Sequence, residues 1–498
     1  MTSTCDYSVL LRTNLYVHQL RALDAMTGRR AYALAMEMGT GKSLTIVADV
    51  ARLYAAGAID SVLIVAPNGV HRNWHSEFQR HCAVPHRVFV RVVGGGTART
   101  VNMACAAAQR RKSLTVLTVN HHTFSGSTGL HDIETFLACA GRCYLAVDES
   151  DGFKNPRAIR TRNLLKCAPR FAYRRILTGT PVNNSPFDLW AQYCVLDKSV
   201  FSRTPNYRAF CARYAELLSA DHHLCASVRR ATGHIPQIVA TDATGRKLWR
   251  NLDELSELIA PITFRVRKEE CLDLPPKAYH TTYYDLSTEQ KKAYKEARTH
   301  LAVQLRDETL PVSSKLALVS KLSQITSGFF TDQYSVPRNI VTPERNPKLI
   351  AAMQIIQRAV AEGRSIIVWC RFLHEAQLLA DACLAEELPA LQYHGSVSEQ
   401  RRADVVAEFN GCGEPRVFIG TAAAGGTGLT LNAASVVLYF SNTYSLRDRL
   451  QSEDRCHRIG QVRSVTYYDL IAPDTIESRV LTALQNKGDV ASAILTNL

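Results

Sequence analysis

A glycine-rich stretch, M-E-M-G-T-G-K-S at residues 36–43, has residue types suited to holding nucleotide phosphates. Gly39 and Gly41 permit a tight turn that points backbone N–H groups at an anion, at the N-terminus of a helix predicted to begin near Lys42. Lys42 would bridge the β- and γ-phosphates of ATP, and Ser43 would offer its hydroxyl to Mg²⁺. A glycine-rich turn with a surface lysine is the alternative interpretation.

Two acids, Asp148 and Glu149, end the apolar run C-Y-L-A-V-D-E at residues 143–149. In a parallel sheet, a buried strand brings the residues at its carboxyl end to the crevice where ligands bind. Asp148 would hold Mg²⁺ through its waters, and Glu149 would polarise the water that attacks the γ-phosphate. A solvated strand end is the alternative. The position of the pair after the phosphate loop and before I-L-T-G-T-P at 176–181 favours the catalytic interpretation.

Two arginines, Arg455 and Arg458, lie in Q-S-E-D-R-C-H-R-I-G-Q at residues 451–461. Their spacing predicts that one helix carries both on one face, with Gln451 one turn earlier. Delivered across a cleft, such guanidinium groups would stabilise charge on the transferring phosphoryl group, so hydrolysis would require two lobes to close. A solvated basic helix is the alternative, but the position after A-G-G-T-G-L at 424–429 favours catalysis.

The elements that position these residues follow from hydrophobic patterns. Apolar runs alternate with helical patterns in both halves of the chain, which predicts two α/β lobes with doubly wound parallel sheets. In the first half the runs lie at 31–36, 61–66, 87–93, 114–119, 143–148 and 174–178, with helices at 71–81 and 157–168. In the second half they lie at 364–370, 389–394, 415–420, 435–441 and 465–470.

Helix-like segments interrupt both halves. We therefore predict a first lobe over 1–275 with a helical insert at about 187–260, and a second over 276–498 with an insert at about 287–330. Ser287 and Gln290 form a capping-box pattern at the start of the second insert, and Asp474 with Glu477 is predicted to cap a final helix. We find no repeats, low-complexity tract or tail, so a bare core without a separate targeting domain is expected.

The composition and net charge of the chain indicate a class of binding partner. The 498 residues are long enough for two or three domains, and 46% hydrophobic with 21% charged residues is typical of an ordinary soluble protein. Lysine and arginine total 59 against 45 acids, a net charge of +14. This excess indicates a polyanionic partner, although charge does not say which one.

Cysteine usage and hydropathy address the compartment. The 14 cysteines show no C-x-x-C spacing and no cluster with histidine, which predicts thiols in a reducing compartment and neither disulfides nor structural zinc. The pairs His121-His122 and His222-His223 lack metal-ligand company and are interpreted as incidental. No run approaches the roughly 18 apolar residues of a membrane helix, and no signal segment is present. An intracellular, soluble protein without membrane contact is expected.

Taken in order, the motifs resemble the Swi/Snf group of superfamily-two helicase-like ATPases over nearly the whole chain. Besides the phosphate loop and the arginines, the matching segments are 63–78, 148–155 (D-E-S-D-G-F-K-N), 177–184 (L-T-G-T-P-V-N-N), 251–270, 274–277 (L-P-P-K), 365–372, 393–396 (Y-H-G-S) and 424–429. The resemblance implies two RecA-like lobes with helical protrusions, ATP and Mg²⁺ as cofactors, and duplex DNA moved along without strand separation. It assigns cofactor contacts to Gln19 in L-Y-V-H-Q-L, as the adenine-reading glutamine, and to Gly39, Thr40, Gly41, Lys42, Ser43 and Gly428.

Three positions depart from the family pattern. Met36 stands where an aspartate is usual, Asp151 where a histidine is usual, and Ser441-Asn442-Thr443 where an aspartate and a W-N-P run are expected. None of these removes a ligand of phosphate or Mg²⁺. They bear on the subfamily and on the coupling between ATP and DNA.

The track would be gripped through its phosphates, because a motor that read base edges would stall. No acid lies between Asn155 and Asp188, and we expect some of the basic residues there to contact DNA and others only to solvate a helix: Arg157, Arg160, Arg162, Lys166, Arg170, Arg174 and Arg175. The predicted backbone contacts are Lys154, Asn155, Arg157, Arg371 and Ser396. Trp74 and Trp369 have apolar neighbours, which favour the core over base stacking.

Three hypotheses follow. The first is an ATP-driven duplex DNA translocase that remodels branched DNA or strips bound proteins. The second is a strand-separating helicase or RNA-dependent ATPase, although no element is interpreted as a wedge. The third is a DNA-binding module with a degenerate ATPase, which Met36 and Asp151 favour. It is opposed by four intact residues: Lys42, Asp148, Glu149 and Arg458. The compact core resembles prokaryotic or viral members, which implies the cytoplasm and leaves the nucleus open; no protein partner is indicated.

Overall fold

The computed structural model describes residues 6–68, 70–92, 97–232, 235–243, 246–306, 312–411, 413–422, 429–458 and 460–495. Contacts divide the chain into two units. The first comprises Met1–Glu216, Thr241–Asp273 and Asp489–Leu498, and the second comprises Leu217–Ala240 and Leu274–Gly488.

Fifteen strands are found in the described residues. They are β1 (Ala31–Met36), β2 (Ser61–Ala66), β3 (His86–Val90), β4 (Leu114–Asn120), β5 (Cys143–Asp148), β6 (Tyr173–Leu177), β7 (Thr263–Val266), β8 (Lys277–Tyr283), β9 (Phe329–Thr331), β10 (Pro337–Asn339), β11 (Ser365–Cys370), β12 (Ala390–Tyr393), β13 (Val417–Thr421), β14 (Ala434–Tyr439) and β15 (Val465–Ile471).

Nineteen α-helices accompany them in the same residues. They are α1 (Tyr7–Leu10), α2 (Val17–Met26), α3 (Lys42–Ala55), α4 (Val70–His81), α5 (Thr97–Arg110), α6 (Ser127–Cys139), α7 (Ile159–Cys167), α8 (Asp188–Leu196), α9 (Tyr207–Tyr214), α10 (His223–Thr232), α11 (Leu252–Ile259), α12 (Lys268–Cys271), α13 (Thr288–Arg306), α14 (Val312–Thr326), α15 (Pro347–Ala361), α16 (Leu373–Ala385), α17 (Glu399–Gly411), α18 (Leu446–Glu453) and α19 (Ile476–Leu495). None combines the length and hydropathy of a bilayer crossing.

The first unit contains a seven-stranded parallel sheet in the order β3-β4-β2-β5-β6-β1-β7. Strands β2, β4 and β5 are buried along their full length, which explains why they appear in the sequence as continuous apolar runs. The predicted parallel architecture is confirmed here. Strand β7 is missing from the prediction because its four residues, T-F-R-V, form no apolar run.

The second unit contains a six-stranded parallel sheet in the order β12-β13-β11-β14-β15-β8, and β9 with β10 forms a separate antiparallel hairpin. The parallel sheet is again as predicted. Strand β8 escapes the apolar-run criterion because it lies at the edge of its sheet and most of its K-A-Y-H-T-T-Y side chains are exposed or half-buried.

The two predicted helix caps differ in outcome. At the start of α13, the backbone N–H of Ser287 donates to Gln290 Oε1 and that of Gln290 donates to Ser287 Oγ, both at 3.1 Å, so the capping box is confirmed. The cap predicted at Asp474 is wrong. Asp474 has φ +58°, and the side chain that caps the first turn of α19 is Thr475, whose Oγ1 accepts the N–H of Glu477 at 3.2 Å.

A buried ion pair ties α3 to β6 in the core of the first unit. Arg175 and Asp49 are fully buried, and Arg175 Nε donates to Asp49 Oδ2 at 3.0 Å. The Tyr144 hydroxyl donates to the same oxygen at 3.0 Å. The grouping of Arg175 with residues that could contact DNA is therefore wrong, because its charge is buried and paired with Asp49.

Candidate nucleotide site

The phosphate loop connects β1 to α3. Gly39 and Gly41 have φ values of +82° and +84°, in the left-handed region that favours glycine. A Cβ atom added to Gly41 would lie 2.3 Å from Gln19 Nε2, so the end of the Gln19 side chain would have to move. The backbone between these two glycines is thus shaped by requirements that only glycine meets.

Lys42 and Ser43 begin α3, as expected from the motif. The Lys42 ammonium folds back over the loop and donates to the carbonyls of Met36 at 2.9 Å and Glu37 at 3.2 Å. Thr40 Oγ1 donates to the Glu37 carbonyl at 2.7 Å. A positive charge and a helix N-terminus therefore converge on one loop, which is an arrangement suited to an anion.

Gln19 lies beside this loop and is buried. Its Nε2 donates to the Gly41 carbonyl at 3.1 Å, and its Oε1 accepts the backbone N–H of Tyr16 at 2.9 Å. The neighbouring His18 Nε2 donates to the Thr40 carbonyl at 2.8 Å. Both side chains brace the loop from α2. Sequence reasoning missed His18, although its position next to Gln19 was the available signal.

The acidic pair lies at the carboxyl end of β5. Asp148 Oδ1 accepts the N–H of Glu149 at 3.0 Å, and Oδ2 accepts the indole N–H of Trp74 at 3.2 Å. His121 Nε2 donates to the Asp148 carbonyl at 2.8 Å. His121, interpreted from the sequence as incidental because it lacks metal-ligand company, thus has a structural contact with the backbone of the acidic pair. Glu149 has φ +47°, a strained backbone for a non-glycine residue that is typical of functional sites.

The electrostatics of Asp148 link the pair to the loop. Burial and the negative charge of Glu149 raise the pKa of Asp148, while the Lys42 charge and the Trp74 hydrogen bond oppose that shift. The carboxylate of Asp148 and the hydroxyl of Ser43 are hard oxygen donors, which fit Mg²⁺. In the described residues no cluster of three His, Cys, Asp or Glu side chains forms a metal cage. Mg²⁺ commonly uses one or two carboxylates together with substrate phosphates instead.

The T-G-T-P segment after β6 contacts both other motifs. A Cβ on Gly179 would lie 3.2 Å from the backbone nitrogen of Met38 in the phosphate loop. Asn183 Nδ2 donates at 2.7 Å to Asp151 Oδ2, in the segment 148–155 (the acidic box) that begins with Asp148 and Glu149. Asp151, which departs from the family pattern, thus directly links the segment 148–155 to the segment 177–184.

The arginines lie differently from the prediction. Helix α18 ends at Glu453, and Arg455 and Arg458 follow it in turns, so they do not share a helical face. Asp454 ends the helix with ψ near 0°, and the Arg455 carbonyl accepts the N–H of Leu431 at 2.8 Å. Both guanidinium groups nevertheless reach the Leu429 carbonyl, at 3.5 and 3.0 Å.

Burial lowers the pKa of Arg458, against the opposing charge of Asp454. Gln451 is buried in the last turn of α18. Gly428, predicted to contact the cofactor, lies outside the described residues. His457, which sequence reasoning missed, donates from Nε2 to the Pro275 carbonyl at 2.8 Å and so attaches the arginine segment to the L-P-P-K segment.

A second buried network supports α18. Arg449 donates to Asp469 through both Nη atoms and from Nε to Glu453 Oε1 at 2.8 Å, and its guanidinium carbon lies 3.6 Å from the Tyr439 ring centroid. Tyr279 donates to Glu453 Oε2 at 2.7 Å. These contacts join residues that are up to 174 positions apart, so no local pattern predicts them.

The departure at Ser441 has a local reason. Ser441 Oγ donates to the buried Glu375 Oε2 at 2.6 Å and accepts the backbone N–H of Arg371 at 2.8 Å. An aspartate at this position would place a second carboxylate beside Glu375, which is costly in a buried site. The neutral serine hydroxyl can donate to Glu375 and accept from Arg371 without that repulsion.

The five predicted DNA contacts differ in their exposure to solvent. Asn155, Arg157 and Ser396 are exposed. Lys154 Nζ lies 3.7 Å from Asp188 Oδ2, and Arg371 Nη1 donates to Ser323 Oγ at 3.1 Å. Trp74 and Trp369 lie in the cores, as predicted.

Family models match most of the chain. The SNF2-related domain matches residues 18–330, and the helicase conserved C-terminal domain matches residues 347–460. The chain is 26% identical to an uncharacterised ATP-dependent helicase of Mycoplasma genitalium over 466 residues, 93% of this chain and 40% of that protein.

Two further similarities were found. A SWI/SNF-related regulator of chromatin, the DEAD/H box 1 homologue of Drosophila melanogaster, is 23% identical over 93% of this chain and 58% of its own length. The structure of a Sulfolobus solfataricus SWI2/SNF2 ATPase core in complex with double-stranded DNA is 21% identical, with a TM-score of 0.40 over 98% of this chain and 95% of that one. The chain spans about two fifths of the length of the curated relatives it matches first.

Proposed function

Because the chain belongs to the SNF2-related family of helicase-like ATPases, we propose that it hydrolyses ATP to translocate along double-stranded DNA and thereby remodels DNA structures or protein–DNA complexes. The observation that carries this proposal is the nucleotide site of the first unit. There the left-handed glycine loop, the Lys42 ammonium and the buried Asp148 carboxylate lie together. The net charge of +14 supports a polyanionic track.

Each residue of the site has a proposed task. Lys42 and the loop N–H groups bind the phosphates, while Ser43 and Asp148 hold Mg²⁺. The ion neutralises charge on the phosphate oxygens when bound. Glu149 orients and deprotonates the attacking water, and Arg455 and Arg458 contribute positive charge during phosphoryl transfer. Phosphate contacts then carry the grip on DNA, with Asn155 and Arg157 as candidates.

Glu149→Gln is expected to bind ATP normally and to hydrolyse it about 100-fold more slowly, because an amide cannot accept the proton of the water. Equilibrium binding of ATP and steady-state phosphate release measure the two effects separately. Glu134→Gln, which changes an exposed carboxylate of the same unit, serves as the control. Normal turnover by Glu149→Gln would remove Glu149 from the role of base.

Arg458→Ala is expected to reduce kcat about 100-fold with little change in nucleotide affinity, since its charge is needed most in the transition state. Single-turnover hydrolysis and equilibrium binding distinguish the two quantities. Arg463→Ala, at a nearby exposed arginine, should leave both unchanged. Equal losses in hydrolysis and affinity in Arg458→Ala would argue against a transition-state role.

The proposal is tested by ATP hydrolysis at one fixed salt concentration without nucleic acid, with blunt duplex DNA, with single-stranded DNA and with RNA. Stimulation mainly by duplex DNA, followed by displacement of a triplex-forming strand, is the expected result. Stimulation mainly by single strands or RNA would favour a strand-separating helicase. No hydrolysis in any condition would favour a DNA-binding module with a degenerate ATPase.

A further inference from the structure

Trp74 connects helix α4 to the acidic pair. Its side chain is 1% exposed and packs beside Phe78, with ring centroids 6.4 Å apart. The indole Nε1 donates to Asp148 Oδ2 at 3.2 Å. Most buried indole N–H groups have an acceptor, and for Trp74 the acceptor is a side chain that is proposed to hold Mg²⁺.

The order of the strands explains this contact. Strand β2 pairs with β5 in parallel, with Val65 opposite Val147, so the two strands end side by side. Helix α4 follows β2 after a short connection, and Trp74 lies in its second turn. Trp74 is therefore delivered over the carboxyl end of β5, where Asp148 lies, by the chain topology itself.

The Asp148 carboxylate is held at both oxygens. Oδ2 accepts from Trp74, and Oδ1 accepts the backbone N–H of Glu149 at 3.0 Å. The Asp148 carbonyl is held separately by His121. Partners of this kind orient a metal ligand, and their loss typically weakens metal binding about 10- to 100-fold.

We propose that Trp74 is a positioning residue for Mg²⁺–nucleotide binding, which acts through its indole N–H by fixing the orientation of the Asp148 carboxylate. This inference rests on the proposed function, because it takes Asp148 as one of the residues that hold Mg²⁺. It assigns to Trp74 a task beyond its place in the hydrophobic core. The core role belongs to the ring, and the positioning role belongs to a single N–H group.

Trp74→Phe separates these roles, because phenylalanine keeps an aromatic ring and lacks the N–H. The matched control is Trp369→Phe. Trp369 is also fully buried, but its Nε1 has no hydrogen-bond partner among the described residues. Both variants lose a similar volume of core, and only one of them loses a hydrogen bond to the nucleotide site.

The experiment measures equilibrium binding of the non-hydrolysable analogue AMP-PNP to the full chain by calorimetry, across a Mg²⁺ titration and in EDTA. Trp74→Phe should raise the half-saturating Mg²⁺ concentration about 10-fold and leave binding in EDTA unchanged. Trp369→Phe should match the unaltered chain in both conditions. In an Asp148→Asn background, Trp74→Phe should cause no further change, since the two residues act as one unit.

Three results would overturn the proposal in distinguishable ways. An unchanged Mg²⁺ requirement in Trp74→Phe, with a large change in Asp148→Asn, would reject Trp74 and leave the proposed function intact. An equal shift in Trp369→Phe would show that general loss of packing is responsible. An unchanged Mg²⁺ requirement in Asp148→Asn would reject the metal site itself, and the inference with it.

Discussion

Lys42→Ala should lower ATP turnover by about 1000-fold or more while DNA binding stays close to that of the unaltered chain. The Lys42 ammonium is directed at the loop by the carbonyls of Met36 and Glu37, and Gly39 and Gly41 shape the backbone around it. Removal of this charge leaves the phosphates without their main neutralising side chain. DNA binding depends on many surface charges, so the loss of the single half-buried charge of Lys42 changes DNA binding little.

Steady-state hydrolysis and DNA binding at matched salt concentration measure these effects. Lys112→Ala removes an exposed lysine from the same unit and should change neither. Circular dichroism of both variants checks that the fold is kept. Substantial turnover by Lys42→Ala would show that the loop at 36–43 does not bind the reacting phosphates, and the ATP site would have to lie elsewhere.

Asp49→Ala should lower the free energy of unfolding of the first unit by about 3–5 kcal/mol, because it leaves the Arg175 charge buried without its partner. Both side chains are fully buried, and the Tyr144 hydroxyl loses its acceptor as well. Asp49 belongs to α3, the helix that begins with Lys42. The same change should therefore loosen the phosphate loop and weaken nucleotide binding.

Urea denaturation followed by tryptophan fluorescence is the measurement. In a Trp369→Phe background the three remaining tryptophans, Trp74, Trp190 and Trp249, all belong to the first unit, so the signal reports on that unit. Glu216→Ala removes one partner of the exposed Arg250–Glu216 pair and should cost only about 0–1 kcal/mol.

A double variant, Asp49→Leu with Arg175→Met, tests the reason for the loss. It removes both buried charges together and should recover much of the stability, since the cost comes from the unpaired charge. A single Asp49→Ala variant as stable as Glu216→Ala would show that the pair contributes little and that α3 is held by its apolar contacts.

The three motifs of the first unit form one connected cluster. Gly179 and Asn183 both belong to the segment 177–184. Gly179 approaches the phosphate loop at Met38, and Asn183 donates a hydrogen bond to Asp151 of the acidic box. Asn183 and Asp151 are buried, while Met38 and Gly179 are half-buried, so the three segments are close neighbours in the first unit. This connection gives a physical route from the nucleotide to the rest of the unit.

The sequence by itself determined the parallel α/β architecture, and it predicted a glycine loop directly after β1 and an acidic pair at the end of β5. Buried parallel strands such as β2, β4 and β5 are continuous apolar runs, and Gly39, Gly41 and Lys42 are required by local backbone geometry and charge. Such signals depend on residues a few positions apart. These local patterns can be recognised in the sequence without any knowledge of distant contacts.

Only the tertiary structure decided which side chains support the site and which are buried and paired in the core. Trp74 and His121 contact Asp148 across 74 and 27 positions, and Arg175 pairs with Asp49 across 126. After the end of α18, the Arg455 carbonyl likewise accepts a hydrogen bond from the distant backbone N–H of Leu431. The physical reason is that burial and pairing are set by neighbours brought together through the sheet order, which the spacing of residues along the chain does not contain.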